Sequence, residues 1–236
     1  GDVASRLPEG TRVLFAYRWI TNTTNERTFV CSTVPRVAAG NSMPLAGVPN
    51  ANLLATSMAN FALDYSARQK LGGSNMTYGS AHQRRVLPPE RFVEVTPWRL
   101  SGQVGDWLRA RSLELAYTAW DMAPVAQELE DIDLSGEVNP PFVWDDDRRS
   151  WLRAELDAAF FHLYGIERDD VDYIMETFPI VRCKDVAAYG EYRTKERILQ
   201  IYDALADASE TGQPYQSVLD PPPSHGPRHP QREETS

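Results

Sequence analysis

Residues 12–20, RVLFAYRWI, and 27–35, RTFVCSTVP, are dense in β-branched and aromatic side chains and flank a polar stretch, TNTTNE, at 21–26. Such side chains suit a pleated, half-buried surface, and two runs of this kind around a polar turn predict a β-hairpin. Pro35, Gly40, Pro44, Gly47 and Pro49 then break the chain into loops. From 52 to 71, Leu53, Leu54, Met58, Phe61 and Leu63 recur at near-helical spacing, and Gly72-Gly73 supplies a stop. A polar loop follows at 74–85, SNMTYGSAHQRR, and leads into Val86-Leu87-Pro88-Pro89.

The second half is helical in pattern. Trp107, Leu108, Leu113, Leu115, Tyr117 and Trp120 predict a helix over 107–129. Asp145, Asp146 and Asp147 can cap a helix that runs through Trp151, Leu152, Leu156, Phe160 and Phe161 to Gly165. A short helix over 169–177 and a longer one over 184–208 follow. Beyond Glu210 the chain is polar and rich in proline, including Pro221-Pro222-Pro223, the composition of a disordered tail. The expected class is α+β. A mixed α/β recognition subdomain with a β-hairpin spans 1–92, an all-helical subdomain 93–208 and a disordered tail 209–236.

Charge divides the chain in the same way. The 236 residues carry a net charge of −9, which argues at first against a nucleic-acid partner. Residues 1–92, however, hold ten Arg/Lys against five Asp/Glu, a balance of +5, and the 14 basic and 28 acidic residues of the remainder give −14. A basic part joined to an acidic part is the arrangement expected when only one of them faces phosphate. No stretch approaches the roughly 18 apolar residues of a membrane helix, so a cytoplasmic protein without a membrane partner is expected. Cys31 and Cys183 lie far apart and outside any CxxC or Cys/His cluster, and read as unpaired buried thiols. The opening Gly1-Asp2, in place of Met, reads as a piece of a longer protein.

Few strings carry chemistry. Asn139-Pro140-Pro141-Phe142 matches the tetrapeptide with which adenine-N6 methyltransferases grip the target amino group. That task requires the end of a buried strand, whereas here the string follows the acidic run ELEDIDLSGEV and precedes a helix cap, with no Gly-rich cofactor loop upstream. It reads instead as a rigid lead-in to the next helix, with Phe142 and Trp144 packing down on it. His162, between Phe161 and Leu163, lacks a second His or Cys and reads as a core or half-exposed histidine. His225 and His229 fall in the tail and read as solvated. There is no nucleophile elbow, P-loop, HExxH or PD-(D/E)xK string, so no catalytic residue and no metal ligand is assigned.

What remains is a binding signal. Arg18, Asn22, Asn25, Arg27 and Arg36 surround the hairpin, and Arg68, Gln69 and Lys70 end the following helix. Ser74, Asn75, Thr77, Tyr78, His82, Gln83, Arg84 and Arg85 lie in the next loop. Arg, Asn, Gln, Ser and Thr are the side chains suited to phosphates and base edges. The competing readings are a solvated polar loop and, for Asn25, Glu26 and Arg27, buttressing of the hairpin.

At these residues the chain resembles a known family. ITNTTNERT (20–28), VPRVAAGNSMPL (34–45) and NFALDYSARQKLGGSNMTYGSAHQRRVLPPERF (60–92) are similar to the target-recognition region of adenine-specific (N6) DNA methyltransferases. These are the fused restriction–modification enzymes of type IIG-like systems and the methyltransferases of BREX- and DISARM-type phage defence. LELAYTAWDMAPVA (113–126), PPFVWDDDRRSWLRAELDAAFFHLYG (140–165) and ETFPIVRCKDVAAYGEYRTKERILQIYDAL (176–205) resemble the helical module that ends such proteins. The chain departs from the family after Gly72-Gly73, where the family often reads Thr-His-Leu and aromatics and this chain has Ser74 to Gly79. A loop that reads sequence should vary with its target.

The resemblance implies a catalytic domain outside this chain that carries the cofactor loop and the true tetrapeptide. It implies no cofactor here, S-adenosylmethionine in the parent, double-stranded DNA as one partner and the methyltransferase or nuclease portion of the parent as another. The alternatives are a helical protein-interaction module with incidental DNA contact, and a stand-alone enzyme using Asn139 to Phe142.

Overall fold

The computed structural model describes residues 10–71 and 73–232, and of His82 the backbone only. Strand β1 (Val13–Tyr17) is buried along its whole length and lies at the centre of a three-stranded antiparallel sheet of order β2-β1-β3. It pairs with β2 (Cys31–Pro35), Val13 opposite Pro35 and Tyr17 opposite Cys31, and with the short β3 (Leu45–Ala46). A continuous apolar run such as VLFAY is what a strand covered on both faces requires. Val13, Phe15 and Tyr17 share a core with Met58, Leu63, Ala67 and Met76.

The predicted hairpin therefore forms, but its strands are shorter and their connection is longer than 21–26. Trp19 and Ile20 leave the hairpin to pair with a distant segment: Ile20 bridges Asn75, Met76 N donates to Trp19 O at 2.7 Å, and Thr21 N donates to Ser74 O at 2.9 Å.

The predicted helix over 52–71 is two, α1 (Ala51–Met58) and α2 (Phe61–Lys70). Asn60 starts the second by accepting from Leu63 N at 2.9 Å, and the buried Asp157 takes the otherwise unpaired Phe61 N at 2.7 Å. The polar loop at 74–85 contains a short helix, α3 (Tyr78–His82), capped by Thr77. The predicted helix over 107–129 also splits, into α4 (Val104–Ala116) and α5 (Ala123–Glu128), with Pro124 in the first turn of the latter. Helix α6 (Asp146–Leu163) forms as expected, with Asp145 accepting from Arg148 N at 2.8 Å. After α7 (Arg168–Glu176), the helix expected over 184–208 is replaced by α8 (Pro179–Tyr189) and α9 (Arg193–Thr211). Gly190, at φ 80°, ends α8 in the left-handed conformation that terminates helices.

The main core lies between α6 and α9, around Leu156, Phe160, Phe161, Ile198, Ile201 and Leu205. Leu53, Phe61 and Leu87 belong to it as well, so packing crosses residue 92 without interruption. His162 Nε2 donates to Tyr202 O at 2.8 Å, and its ring stacks on the Tyr202 ring at 3.8 Å. Cys31 is half-buried, while Cys183 is exposed on α8 rather than buried as expected. Trp144 is likewise exposed, with the Arg149 guanidinium 3.6 Å over its ring, whereas Phe142 packs inward.

The expectation of a disordered tail is overturned. Residues 209–211 belong to α9, and 212–232 fold back across the helices; 233–236 lie outside the described residues. Tyr215 Oη and Ser217 Oγ donate to the fully buried Glu155 at 2.7 and 2.6 Å, beside the Arg111–Glu155 ion pair. Arg148 pairs with Glu114 and donates to the carbonyls of Pro221 and Pro222 at 2.7 and 3.2 Å. Arg228 pairs with Asp131 at 2.9 Å and lies 3.7 Å over the Phe142 ring. Low hydrophobicity predicts disorder because such a segment cannot drive its own collapse. Here the body presents buried charges whose remaining donors and acceptors need partners, and a proline-rich strap supplies carbonyls for arginines.

A Cβ at Gly226 would run into the paired Glu114 carboxylate and Arg148 guanidinium, both largely buried. Gly226→Ala should lower stability by about 1–3 kcal/mol, read by chemical denaturation, and should make 212–232 the first segment cut in limited proteolysis.

Candidate nucleic-acid interface

The pairing of 19–21 with 74–76 brings together groups that are far apart in sequence. Arg18, Asn22, Ser74, Asn75, Thr77 and Tyr78 all expose their side chains along this seam. Asn22 Oδ1 accepts from Thr24 N at 3.1 Å, which shapes the turn. Oriented to suit its neighbours, the Asn25 amide oxygen accepts from Asn22 N at 3.1 Å and from Arg18 Nη2 at 2.8 Å. Tyr78 is 56% exposed and stands edge-on to Tyr17 and Trp19, with ring centroids 6.2 and 5.6 Å away. Burial, and then Tyr78, push the Tyr17 hydroxyl up to about 12. Gln69 and Lys70 are exposed at the end of α2, a few residues before Ser74, and Arg85 is exposed just beyond α3.

Two carboxylates hold this surface to the body. Asp64, 1% exposed on α2, accepts from Thr28 N at 3.0 Å and Phe29 N at 2.6 Å and pairs with Arg68 Nε at 3.3 Å. Arg68 Nη2 donates to Asn25 O at 2.6 Å and Glu26 O at 2.9 Å, and its guanidinium lies 4.1 Å over the Phe178 ring. Asp157, on α6, pairs with Arg27 at 3.0 Å, and Arg27 lies 3.2 Å over the Phe61 ring. Burial pushes the Asp157 carboxyl up, and Arg27 draws it back. Lys184 of α8 adds a surface pair with Glu26 at 2.5 Å.

The candidates of the sequence therefore separate into groups, with Gln83 exposed beside Arg85. Arg18, Asn22, Lys70, Ser74, Asn75, Thr77 and Tyr78 are exposed along the seam or at its flank, with Gln69 and Arg85 beside them and Asn25 half-buried among them. Arg27, Arg68 and Arg84 turn their guanidinium groups into the protein. Arg36 sits at the opposite end of β2, its amide donating to Arg12 O at 2.8 Å, and does not join the seam. The side chain of His82 lies outside the described residues. Sequence reasoning missed Asp64 and Asp157 as anchors. The spacing of Asp64 and Arg68, four residues apart on one helix, was the available signal for the first; nothing local marks the second.

The tetrapeptide at 139–142 is engaged elsewhere. Asn139 Nδ2 donates to Asp131 at 2.9 Å, Asn139 O accepts from Tyr117 Oη at 2.8 Å, and Pro140 O accepts from Arg228 at 2.6 Å. Phe142 is 1% exposed, so its ring offers no face to a base.

Among the described residues no group of three or more His, Cys, Asp or Glu is arranged to hold a metal ion, and no helix is long and apolar enough to cross a membrane. Comparison with protein-family models, curated proteins and solved structures finds no match to this chain.

Asp64→Ala would leave Thr28 N and Phe29 N buried without acceptors and Arg68 without its partner. The expected cost is about 3–5 kcal/mol in denaturant unfolding, with residues 22–29 becoming the first backbone segment to exchange amide hydrogens.

Proposed function

We propose that this chain is the sequence-specific DNA-recognition module of an adenine-N6 DNA methyltransferase from a restriction–modification or phage-defence system, with the catalytic domain lying outside it. The observation that carries DNA recognition is the seam itself: Arg18, Asn22, Ser74, Asn75, Thr77 and Tyr78 are exposed together, with Lys70 and Arg85 at its flanks, in the half of the chain whose charge balance is +5. The methyltransferase parentage rests on the resemblance of the sequence segments.

In this reading the cations contact phosphates and fix the register, while the amides and hydroxyls read base edges. The acidic helices keep the module off DNA elsewhere and present the face that meets the rest of the parent. The adenine is flipped into that other domain, where S-adenosylmethionine supplies the methyl group. Arg27 and Arg68 act beneath the surface, by holding the 22–29 loop in shape.

One observation favours the alternative of a protein-interaction module. Helix α8 buries none of its residues and exposes Val186 and Tyr189. The two readings part on charge reversal. Arg18→Glu, Lys70→Glu and Arg85→Glu, combined in one variant, should weaken duplex binding by about a hundredfold or more and flatten its salt dependence, measured by fluorescence anisotropy. Unchanged DNA retention would transfer the function to the helical half.

A further inference from the structure

One feature of this surface is left without a partner inside the protein. Arg84 is 8% exposed, yet its guanidinium makes one weak contact, from Nη2 to Met76 Sδ at 3.7 Å. Nε and Nη1 are buried with no acceptor among the described residues. An arginine cannot shed its charge as a lysine can, so an unpaired buried guanidinium is costly. Three other inward-facing arginines have carboxylate partners, Arg27 with Asp157, Arg68 with Asp64 and Arg111 with Glu155, and Arg149, as buried as Arg84, donates to Leu115 O at 3.0 Å and lies over the Trp144 ring. Burial pulls the Arg84 pKa down, and Asp64 is the acid that offsets it. Asp64, however, is already occupied by Thr28 N, Phe29 N and Arg68.

Arg84 is covered from the side of Met76. Met76, fully buried, lies on it, and Met76 belongs to the segment whose neighbours Ser74, Asn75, Thr77 and Tyr78 are exposed. Of the described side chains of α3 only Ala81 is buried. Tyr17 Oη, beneath Tyr78, is a second buried polar atom without a partner in the same region. A segment that exposes Ser74, Asn75, Thr77 and Tyr78 and buries chiefly Met76 and Ala81 is a local structure that opens at low cost. Arg18, on the strand end that pairs with 74–76, and Lys70 and Arg85, which flank that segment in sequence, are exposed cations that favour an anion as the visitor.

We infer that Arg84 is a reserve phosphate-binding residue, which pairs bidentately with a phosphate group when the segment 74–83 shifts on engagement. This rests on the proposed reading for the source of the phosphate, a DNA backbone, but the site itself requires only the anion.

The test uses the full chain. The Arg84 Nε–H resonance is followed by NMR during titration with inorganic phosphate, and separately with duplex DNA. Thermal unfolding of the wild type and of Arg84→Met is compared in chloride and in phosphate at matched ionic strength, and duplex affinity is measured for both. The expected result is a saturable shift of the Nε–H resonance and a phosphate-dependent rise in wild-type Tm. Arg84→Met, relieved of an unpaired charge, should melt at or above the wild-type temperature in chloride, lose the phosphate increment, bind DNA about tenfold more weakly and show a salt slope lower by about one.

An Nε–H resonance unmoved by both titrants, with DNA affinity unchanged in Arg84→Met, would overturn the inference while leaving DNA recognition intact. A response to inorganic phosphate without any binding of DNA would uphold the anion site and sink the DNA reading. If Arg84→Met fails to fold, Arg84→Lys takes its place. That variant keeps the charge but not the bidentate fork, and undiminished phosphate stabilisation in it would contradict the paired geometry.

Discussion

The carboxylate of Asp64 is the constraint on which the part of the chain around the β-sheet depends. The connection between β1 and β2 runs from 18 to 30, too long for a tight turn to define. Its backbone hydrogen bonds must go somewhere, and at Thr28 and Phe29 they go to Asp64. The same carboxylate aligns Arg68, whose other nitrogen holds the carbonyls of Asn25 and Glu26. One buried charge thus fixes residues 25–29 of the loop, while Trp19 and Thr21 pair with 74–76, so Arg18, Asn22 and Asn25 sit on a frame rather than on a flexible tether. Asp157 repeats the device one layer deeper, joining Arg27 and the start of α2 to α6.

The helical half uses the same logic for a different end. Glu155, Glu114 and Asp131 are each paired with an arginine, and each also draws in part of the strap over 212–232, directly or through that arginine. A buried ion pair gains little net stability over a well-packed apolar substitute, but breaking it leaves an uncompensated charge. The strap completes pairs that the body cannot complete alone, which ties its order to theirs. It also accounts for the tetrapeptide at 139–142, whose Pro140 carbonyl and Phe142 ring seat Arg228.

Legibility in the sequence followed the range of the interactions. The β1–β2 pair and α6 with its Asp145 cap are local patterns and read correctly, as does the α+β class. The breaks at Asn60 and Gly190 carried local signals, a cap residue and a helix-ending glycine, that apolar periodicity concealed. The strap was misread because its order depends on Glu155, Glu114 and Asp131, all far away in sequence. The candidate site was legible as a composition but not as a surface. Nothing in 18–22 or 74–78 announces that the two segments pair, or that Arg27, Arg68 and Arg84 point inward while Arg18 and Arg85 remain outside.

In the proposed reading a face built from 18–30, 69–71 and 73–85 meets duplex DNA while the acidic helices do not. Amide hydrogen–deuterium exchange of the full chain with and without a mixed-sequence DNA duplex is the direct test. The account predicts protection confined to 18–30, 69–71 and 73–85, with exchange in α7, α8 and α9 unchanged. Protection centred on those helices, or none anywhere at saturating DNA, would contradict it.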